Sequence, residues 1–215
     1  DVNGDGYADV IAGAPYYDSS FTDEGAVFVW YGSNSSHGLN PVPDWWALTA
    51  GPGSRLGHSV ASAGDVNGDG YDDIIAGAPF FNNGALSEGM AFIWMGSSSG
   101  LGATGSFANA EWKAESNQYD AALGYSVAGA GDVNGDGYAD LLIGAPYYDW
   151  YQSNGGRVMI WYGHSSGPTP NGNPSNSNWA YSPDIANAKL GLSVAGAGDV
   201  NRDGYSDVIA GGEGR

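Results

Sequence analysis

The chain has no cysteine in its 215 residues, which rules out disulfide staples and leaves bound metal as the available substitute in an oxidising compartment. Basic residues are scarce, with six Lys and Arg against 24 Asp and Glu and a formal charge of −18. Nucleic acids and anionic membranes are held by clustered Lys and Arg, so both are excluded as partners. No apolar run approaches the roughly 18 residues that a membrane-spanning helix needs, which also excludes direct insertion. Histidine is represented only by His37, His58 and His164. Two of them lie in Ser-rich turns, and none is joined to a nucleophile and an orienting acid, so no catalytic set is read and the chain is not expected to be an enzyme. What abounds is glycine, with 37 residues set among Ser and Asn clusters. Because 42% of residues are still hydrophobic, this composition reads as many tight turns around a core, not as disorder.

The acids are not scattered. The string Asp-x-Asn-x-Asp-Gly-Tyr-x-Asp, with Arg202-Asp203 at the centre of its last copy, occurs at residues 1–9, 65–73, 132–140 and 199–207. Each copy offers side-chain oxygens at positions 1, 3, 5 and 9 and a glycine at position 6, where the chain must turn back on itself. The carbonyl at position 7 can add an uncharged donor. Calcium takes six to eight oxygen ligands, and a short loop whose alternate residues point inward can wrap it. The candidate ligands are therefore Asp1, Asn3, Asp5, Tyr7 and Asp9; Asp65, Asn67, Asp69, Tyr71 and Asp73; Asp132, Asn134, Asp136, Tyr138 and Asp140; and Asp199, Asn201, Asp203, Tyr205 and Asp207.

Plain Asn-Gly or Asp-Gly hairpin turns would need two special residues, not four repeated oxygen donors. Carboxylates roughly 5 Å apart repel by about 3 kcal/mol per pair at an effective dielectric of about 20, so a cation is expected among them. Half of the 24 acids are the Asp residues at positions 1, 5 and 9 of these loops, and about four Ca2+ per chain would neutralise much of the charge. An EF-hand is excluded, because its closing Glu at position 12 is replaced by Ala12, Ala76, Ile143 and Ala210. Short apolar runs such as Asp73-Ile74-Ile75-Ala76-Gly77-Ala78-Pro79 follow the loops, which places each ion in a hairpin between two strands.

The loops recur at intervals of 64, 67 and 67 residues, a period that signals repeat architecture. Within each period a small-residue segment (Ser59-Val60-Ala61-Ser62-Ala63-Gly64 and its equivalents at Ser126 and Ser193) precedes the loop. A Gly-Ala-Pro strand follows, then an aromatic strand (Val27 to Tyr31, Ala91 to Met95, Val158 to Tyr162), then a weaker strand around Trp45, Trp112 and Trp179. Four short strands per period predict an all-β fold, a β-propeller of four-stranded antiparallel blades. The slim Ala/Gly/Ser strand suits the crowded inner edge, and the aromatics suit the widening gap between blades. About thirteen strands are expected, or three and a quarter blades of a larger or oligomer-completed propeller. Residues 1–64 read as a blade lacking its first strand plus the next inner strand, 65–131 and 132–198 as full repeats, and 199–215 as a partial one.

The stretches Leu56-Gly57…Gly77-Ala78-Pro79 and Leu123-Gly124…Gly144-Ala145-Pro146, with the partial Ala12-Gly13-Ala14-Pro15, resemble FG-GAP repeats, the blades of the integrin α-subunit propeller and of many secreted bacterial proteins. The resemblance implies a propeller of about seven blades, calcium in the loop between a blade's first two strands, and an extracellular or cell-surface setting. It implies the same ligands at the positions named above. Leu stands for the family's Phe before each matched Gly. The fourth copy departs further, with Arg202 at loop position 4 and Gly212-Glu213 in place of Ala-Pro, so its site is expected to be the weakest.

The expected function is a calcium-binding extracellular adhesion or binding module that meets a protein or glycan partner, or other copies of itself, through inter-blade loops. The segments 16–24, 80–88 and 147–154, alike in place but not in sequence, are the contact candidates. Alternatives are a repeat subunit of an extracellular fibre or oligomer, and a lectin or propeller domain appended to a secreted hydrolase. Asn34-Ser35-Ser36 also matches the N-glycosylation pattern.

Overall fold

The computed structural model describes residues 1–34, 39–49 and 51–214, and within them the chain forms strands, turns and loops only. Ser35 and Ser36 of the glycosylation pattern, and His37, lie outside the described residues. The strands in order are β1 (Val10–Ala14), β2 (Ala26–Trp30), β3 (Trp45–Leu48), β4 (Ser59–Gly64), β5 (Asp73–Ala78), β6 (Met90–Trp94) and β7 (Gly105–Ser106). They continue with β8 (Trp112–Glu115), β9 (Ser126–Gly131), β10 (Asp140–Ala145), β11 (Arg157–Trp161), β12 (Trp179–Tyr181), β13 (Ser193–Gly198) and β14 (Asp207–Gly211).

They assemble as sheets β1-β2-β3-β7, β4-β5-β6-β8 and β9-β10-β11-β12 and a pair β13-β14. The second and third sheets are antiparallel meanders throughout, and their first strands, β4, β9 and β13, pack side by side. This is the bladed, all-β propeller architecture that the repeat predicts.

Alternation along the middle strands divides the core. On β5, Ile74 faces the layer shared with the first blade, with Val27, Trp45 and Trp94. Its neighbour Ile75 faces the next layer, with Trp112, Leu141 and Trp161. Leu141 and Leu142 of β10 are divided in the same way between the second and third layers. A period-2 pattern buried on both faces reads in sequence as an unbroken apolar run. The outer Trp of one blade meets the third-strand Trp of the next edge to face, Trp45 with Trp94 at 5.4 Å and Trp112 with Trp161 at 5.5 Å between ring centroids.

The inner strands are slim because they must be. A Cβ on Gly129 would lie 2.9 Å from the Ser62 carbonyl oxygen, and one on Gly196 would lie 2.7 Å from that of Gly129. The Gly-Ala-Pro glycine is tighter still. A Cβ on Gly77 would sit 1.8 Å from the Gly124 carbonyl oxygen, while Gly124 donates its N–H to Gly144 at 3.0 Å. The Leu-Gly and Gly-Ala-Pro glycines of adjacent repeats thus form a backbone stack, Gly77–Gly124–Gly144, repeated at Gly13–Gly57–Gly77.

One strand is additional to the thirteen expected. Gly105–Ser106 joins the preceding blade in parallel, Ala47 facing Gly105 and Leu48 facing Ser106. Trp45 clamps it by donating Nε1–H to the Ala103 carbonyl at 2.9 Å. The next junction repeats the clasp with a single bridge, Ala114 to Gly172, and Trp112 donating to Pro170 at 3.0 Å. Nothing in the Gly/Ser/Asn-rich linker signals this pairing; the partner blade imposes it.

Because the Gly77 contact is with backbone, Gly77→Ala is expected to destabilise the chain by about 2–3 kcal/mol or more. Gly211→Ala, at the same repeat position but with its nearest atom 4.0 Å away, should stay within about 0.5 kcal/mol of the parent. Urea midpoints of the two variants check this.

Candidate metal centres

The second, third and fourth loops leave their sheets where the inner strand hands over to the next, after a bulge ending at Gly64, Gly131 or Gly198. The backbone then holds the acids in place. In the first loop, Asp1 accepts from the amides of Asp5 (3.1 Å) and Gly6 (2.8 Å), Asn3 Oδ1 accepts from Asp5, and Asp5 accepts from Tyr7 (2.9 Å). The other three loops repeat the pattern around Asp65, Asp132 and Asp199. Four independent copies adopt one geometry because the same short-range bonds dictate it.

The acid at position 9 has a second task. Asp73 accepts from Val66 within its loop and from Gly96 in the turn after β6; Asp140 does so from Val133 and Gly163, and Asp9 from Val2 and Gly32. It therefore ties the loop to the turn after the third strand. Asp207 keeps the first bond, from Val200.

Asp73 and Asp140 are fully buried. Burial pushes the Asp73 carboxyl up to about 7, aided by the charges of Asp69 and Asp65. Asp140 is raised to about 6 by burial and then by Asp136 and Asp132. Among the described residues no basic side chain forms an ion pair with any loop carboxylate. Among the described residues no hydrogen bond occupies the carbonyl of Tyr7, Tyr71, Tyr138 or Tyr205. Hard oxygen donors and net negative charge, with no basic side chain paired to them among the described residues, fit a divalent cation of the calcium type.

Among the described residues, no three Asp, Glu, His or Cys side chains form a ready chelating cluster by themselves. Asn Nδ2 instead donates to the position-5 acid, at 3.2 Å in the first loop and 2.9 Å in the others. That amide supplies the partial positive charge a cation would replace.

Consecutive loops also touch. The ring of Tyr71 covers Gly4, where a Cβ would lie 2.6 Å from Cε1; Tyr138 covers Gly68 and Tyr205 covers Gly135 at the same distance. These glycines have φ of +70°, +74° and +79°, and Arg202 takes their place in the fourth loop at φ +62°. This packing between blades is what sequence reading missed. Its trace was the Tyr at position 7, considered only for its carbonyl.

The opposite blade ends carry the second-to-third and fourth-to-first connections. The contact candidates there include residues that are not available for contact. Glu24 and Glu88 are 1% exposed, with Oε1 accepting the amides of Ser19 and Ser20, or of Asn83 and Ala85. Gly155 stands at that place in the third loop, which presents Trp150 and Tyr151 to solvent. His58 packs on Tyr125 at 4.4 Å, and His164 stacks on Tyr138 at 6.2 Å.

A cation occupies two of the three junctions on this face. The Arg55 guanidinium lies 4.8 Å from the Tyr16 ring and 4.7 Å from Phe80, and Lys189 Nζ lies 5.9 Å from Tyr147. At the middle junction the equivalent residue is Ala122, beside a cavity of about 280 Å3 lined by Phe80, Ser87, Asp120, Ala122, Tyr147 and Asn154.

The FG-GAP repeat family model matches residues 1–30, 56–92 and 123–161. Integrin alpha-7 of Rattus norvegicus is 37% identical over 145 residues, covering 67% of this chain and 12% of that protein. Integrin alpha-PS5 of Drosophila melanogaster is 36% identical over 149 residues, covering 68% and 14%. Integrin alpha-5 of Xenopus laevis is 32% identical over 177 residues, covering 80% and 16%. The chain thus spans no more than about a sixth of the length of these curated relatives.

The raised carboxyls give the metal-free fold a pH dependence of definite sign. A group whose pKa is higher in the folded chain contributes stability that is full below its unfolded value, near 4, and lost as pH rises through the folded value. For Asp73 and Asp140 that window ends at about 7 and about 6. In excess chelator the melting temperature should therefore fall as pH is raised from about 5 to about 8, as thermal melts across that range will show.

Proposed function

The chain belongs to the FG-GAP repeat family, and from that premise we propose that it is a calcium-stabilised propeller segment serving an extracellular adhesion or binding module. The observation that carries the metal reading is the pair of buried carboxylates, Asp73 and Asp140, each raised further by the charges of two acids of its own loop and, among the described residues, paired with no basic side chain. Calcium supplies the missing charge. It is held at positions 1, 3, 5, 7 (carbonyl) and 9 of all four loops, and most weakly where Arg202 adds positive charge. The role is structural: the ion rigidifies the hairpin between the first two strands, while the position-9 acid carries that order to the turn after the third strand.

Integrin alpha subunits are the relatives, which supports an extracellular setting and a partner-binding, non-enzymatic role. Contacts then fall to the face opposite the metal loops, whose connections differ from blade to blade. The middle junction on that face is shaped for a basic side chain. Its aromatic walls reproduce those between which Arg55 lies next door, and the Asp120 carboxylate is added to them; cations over aromatic faces gain about 0.5–2 kcal/mol. A partner presenting Arg or Lys is the chemistry this niche fits.

Two experiments test these readings. Calorimetric titration should count four calcium ions per chain. Chelation at neutral pH should lower the melting temperature, since each site contributes about 2.7 kcal/mol at a hundredfold excess over Kd. Magnesium should restore little, because it demands a tighter octahedron and sheds water reluctantly. An unchanged melting temperature in chelator would reduce the loops to turns. For the niche, arginine amide should shift the Phe80 and Tyr147 ring resonances of the parent chain and leave them unmoved in Ala122→Arg.

A further inference from the structure

We propose that the four metal loops are coupled in file, and that Tyr71, Tyr138 and Tyr205 are the positioning residues through which each loop fixes the one before it. The proposal rests on the calcium reading above and adds to it: loading one loop prepares its neighbour.

Three contacts join the first loop to the second and the second to the third, and the first and last of these also join the third to the fourth. The first is backbone. The carbonyl of Asp1 accepts from the amide of Asp72 at 3.1 Å, that of Asp65 from Ala139 at 3.0 Å, and that of Asp132 from Ser206 at 2.8 Å. The acceptor is residue 1 of one loop, whose carboxylate is a ligand. The donor is residue 8 of the next loop, between the carbonyl ligand at position 7 and the carboxylate ligand at position 9. The second contact is also backbone: the carbonyls of Val2 and Val66, at position 2, accept from Ser97 at 3.0 Å and His164 at 2.9 Å. Those donors directly follow Gly96 and Gly163, whose amides bind the position-9 acids Asp73 and Asp140 of the following loop. The third is the tyrosine ring, which rests on the position-4 glycine of the preceding loop.

A cation in the second loop would therefore immobilise Tyr71 and Asp73, and with them the Asp72 amide and the Tyr71 ring. Both press on the first loop, at residues 1 and 4. Ordering the first loop then costs less, because part of its backbone is already fixed. By linkage the effect is mutual: each loop tightens the other by the same factor. The glycine at position 4 is thus favoured by its positive φ and required by the ring above it. In the fourth loop Arg202 carries a Cβ where such a ring would have to lie, so the packing that links the first three loops to their successors is not available there.

Among the described residues the hydroxyls of Tyr71, Tyr138 and Tyr205 make no hydrogen bond, so the ring alone is needed, and the ligand at position 7 is its backbone carbonyl. Tyr138→Leu therefore keeps the donor set of its own loop while uncovering Gly68, and Tyr138→Phe keeps the cover. The position-6 glycines report each loop separately, since Gly6, Gly70, Gly137 and Gly204 each donate to the position-1 acid of their own loop.

The test is a calcium titration of the full chain followed at these four amides by NMR. Coupling predicts that Tyr138→Leu raises the calcium midpoint read at Gly70, in a loop it does not belong to, by about fivefold or more, and that Tyr138→Phe restores it. A shift confined to Gly137 overturns the coupling and leaves the metal sites standing. No calcium response at any of the four glycines in the parent chain overturns the metal reading itself. Tyr71→Leu, read at Gly6, repeats the test at the first junction should Tyr138→Leu not fold.

Discussion

At each junction between blades, the carbonyl of a Leu-Gly glycine occupies the space in which the preceding Gly-Ala-Pro glycine would carry its Cβ. For Gly13 and Gly57 the separation would be 1.9 Å, and for Gly77 and Gly124 it would be 1.8 Å. Only bare backbone can approach so closely, and the approach brings the inner strands together. It sets the taper of the wedge: Ala, Gly and Ser inside, and Trp, Phe and Ile where the blades diverge. Chain packing of this kind is short-ranged and repeats locally, so each blade is held chiefly by its two neighbours.

The same closeness brings the backbone of one loop against that of the next. Asp73 and Asp140 are driven inward because their carboxylates serve as the bridge between a loop and the turn after the third strand. A carboxylate buried beside other carboxylates is unfavourable unless amide donors and a cation compensate it. Two backbone N–H groups meet the hydrogen-bonding requirement. They do not meet the charge requirement, and that difference is the physical case for calcium in a chain with six basic residues.

The blade's two ends are built on different rules. At the loop end, near-identical residues make the same loop-closing bonds in four copies. At the other end the connections share anchors but not exposed surfaces. Glu24 and Glu88 hold their loops from inside, whereas Gly155 leaves the third loop to be organised by Arg157, which lies 4.3 Å from the Trp150 ring. The cavity beside Ala122 has the same origin: one truncated side chain in a row of cations. Variation on this end alters what a partner meets without disturbing the glycine stack beneath.

The bladed all-β architecture and the four loops were legible in the sequence, because both rest on spacing along the chain. Oxygen donors at positions 1, 3, 5 and 9 act within nine residues, and strand alternation acts within five or six. The inter-blade contacts were not legible. Gly105–Ser106 becomes a strand only because Trp45 and Ala47 stand beside it, and Tyr71 lies 67 residues from the Gly4 it covers. The Tyr was visible as a donor of its carbonyl and invisible as a lid. Burial of Glu24 and Glu88, and the rise of Asp73 and Asp140 toward neutrality, likewise depend on which groups tertiary packing strips of water. Local hydrogen bonding is written in residue order, whereas desolvation and ring packing belong to neighbours that only the folded chain brings together.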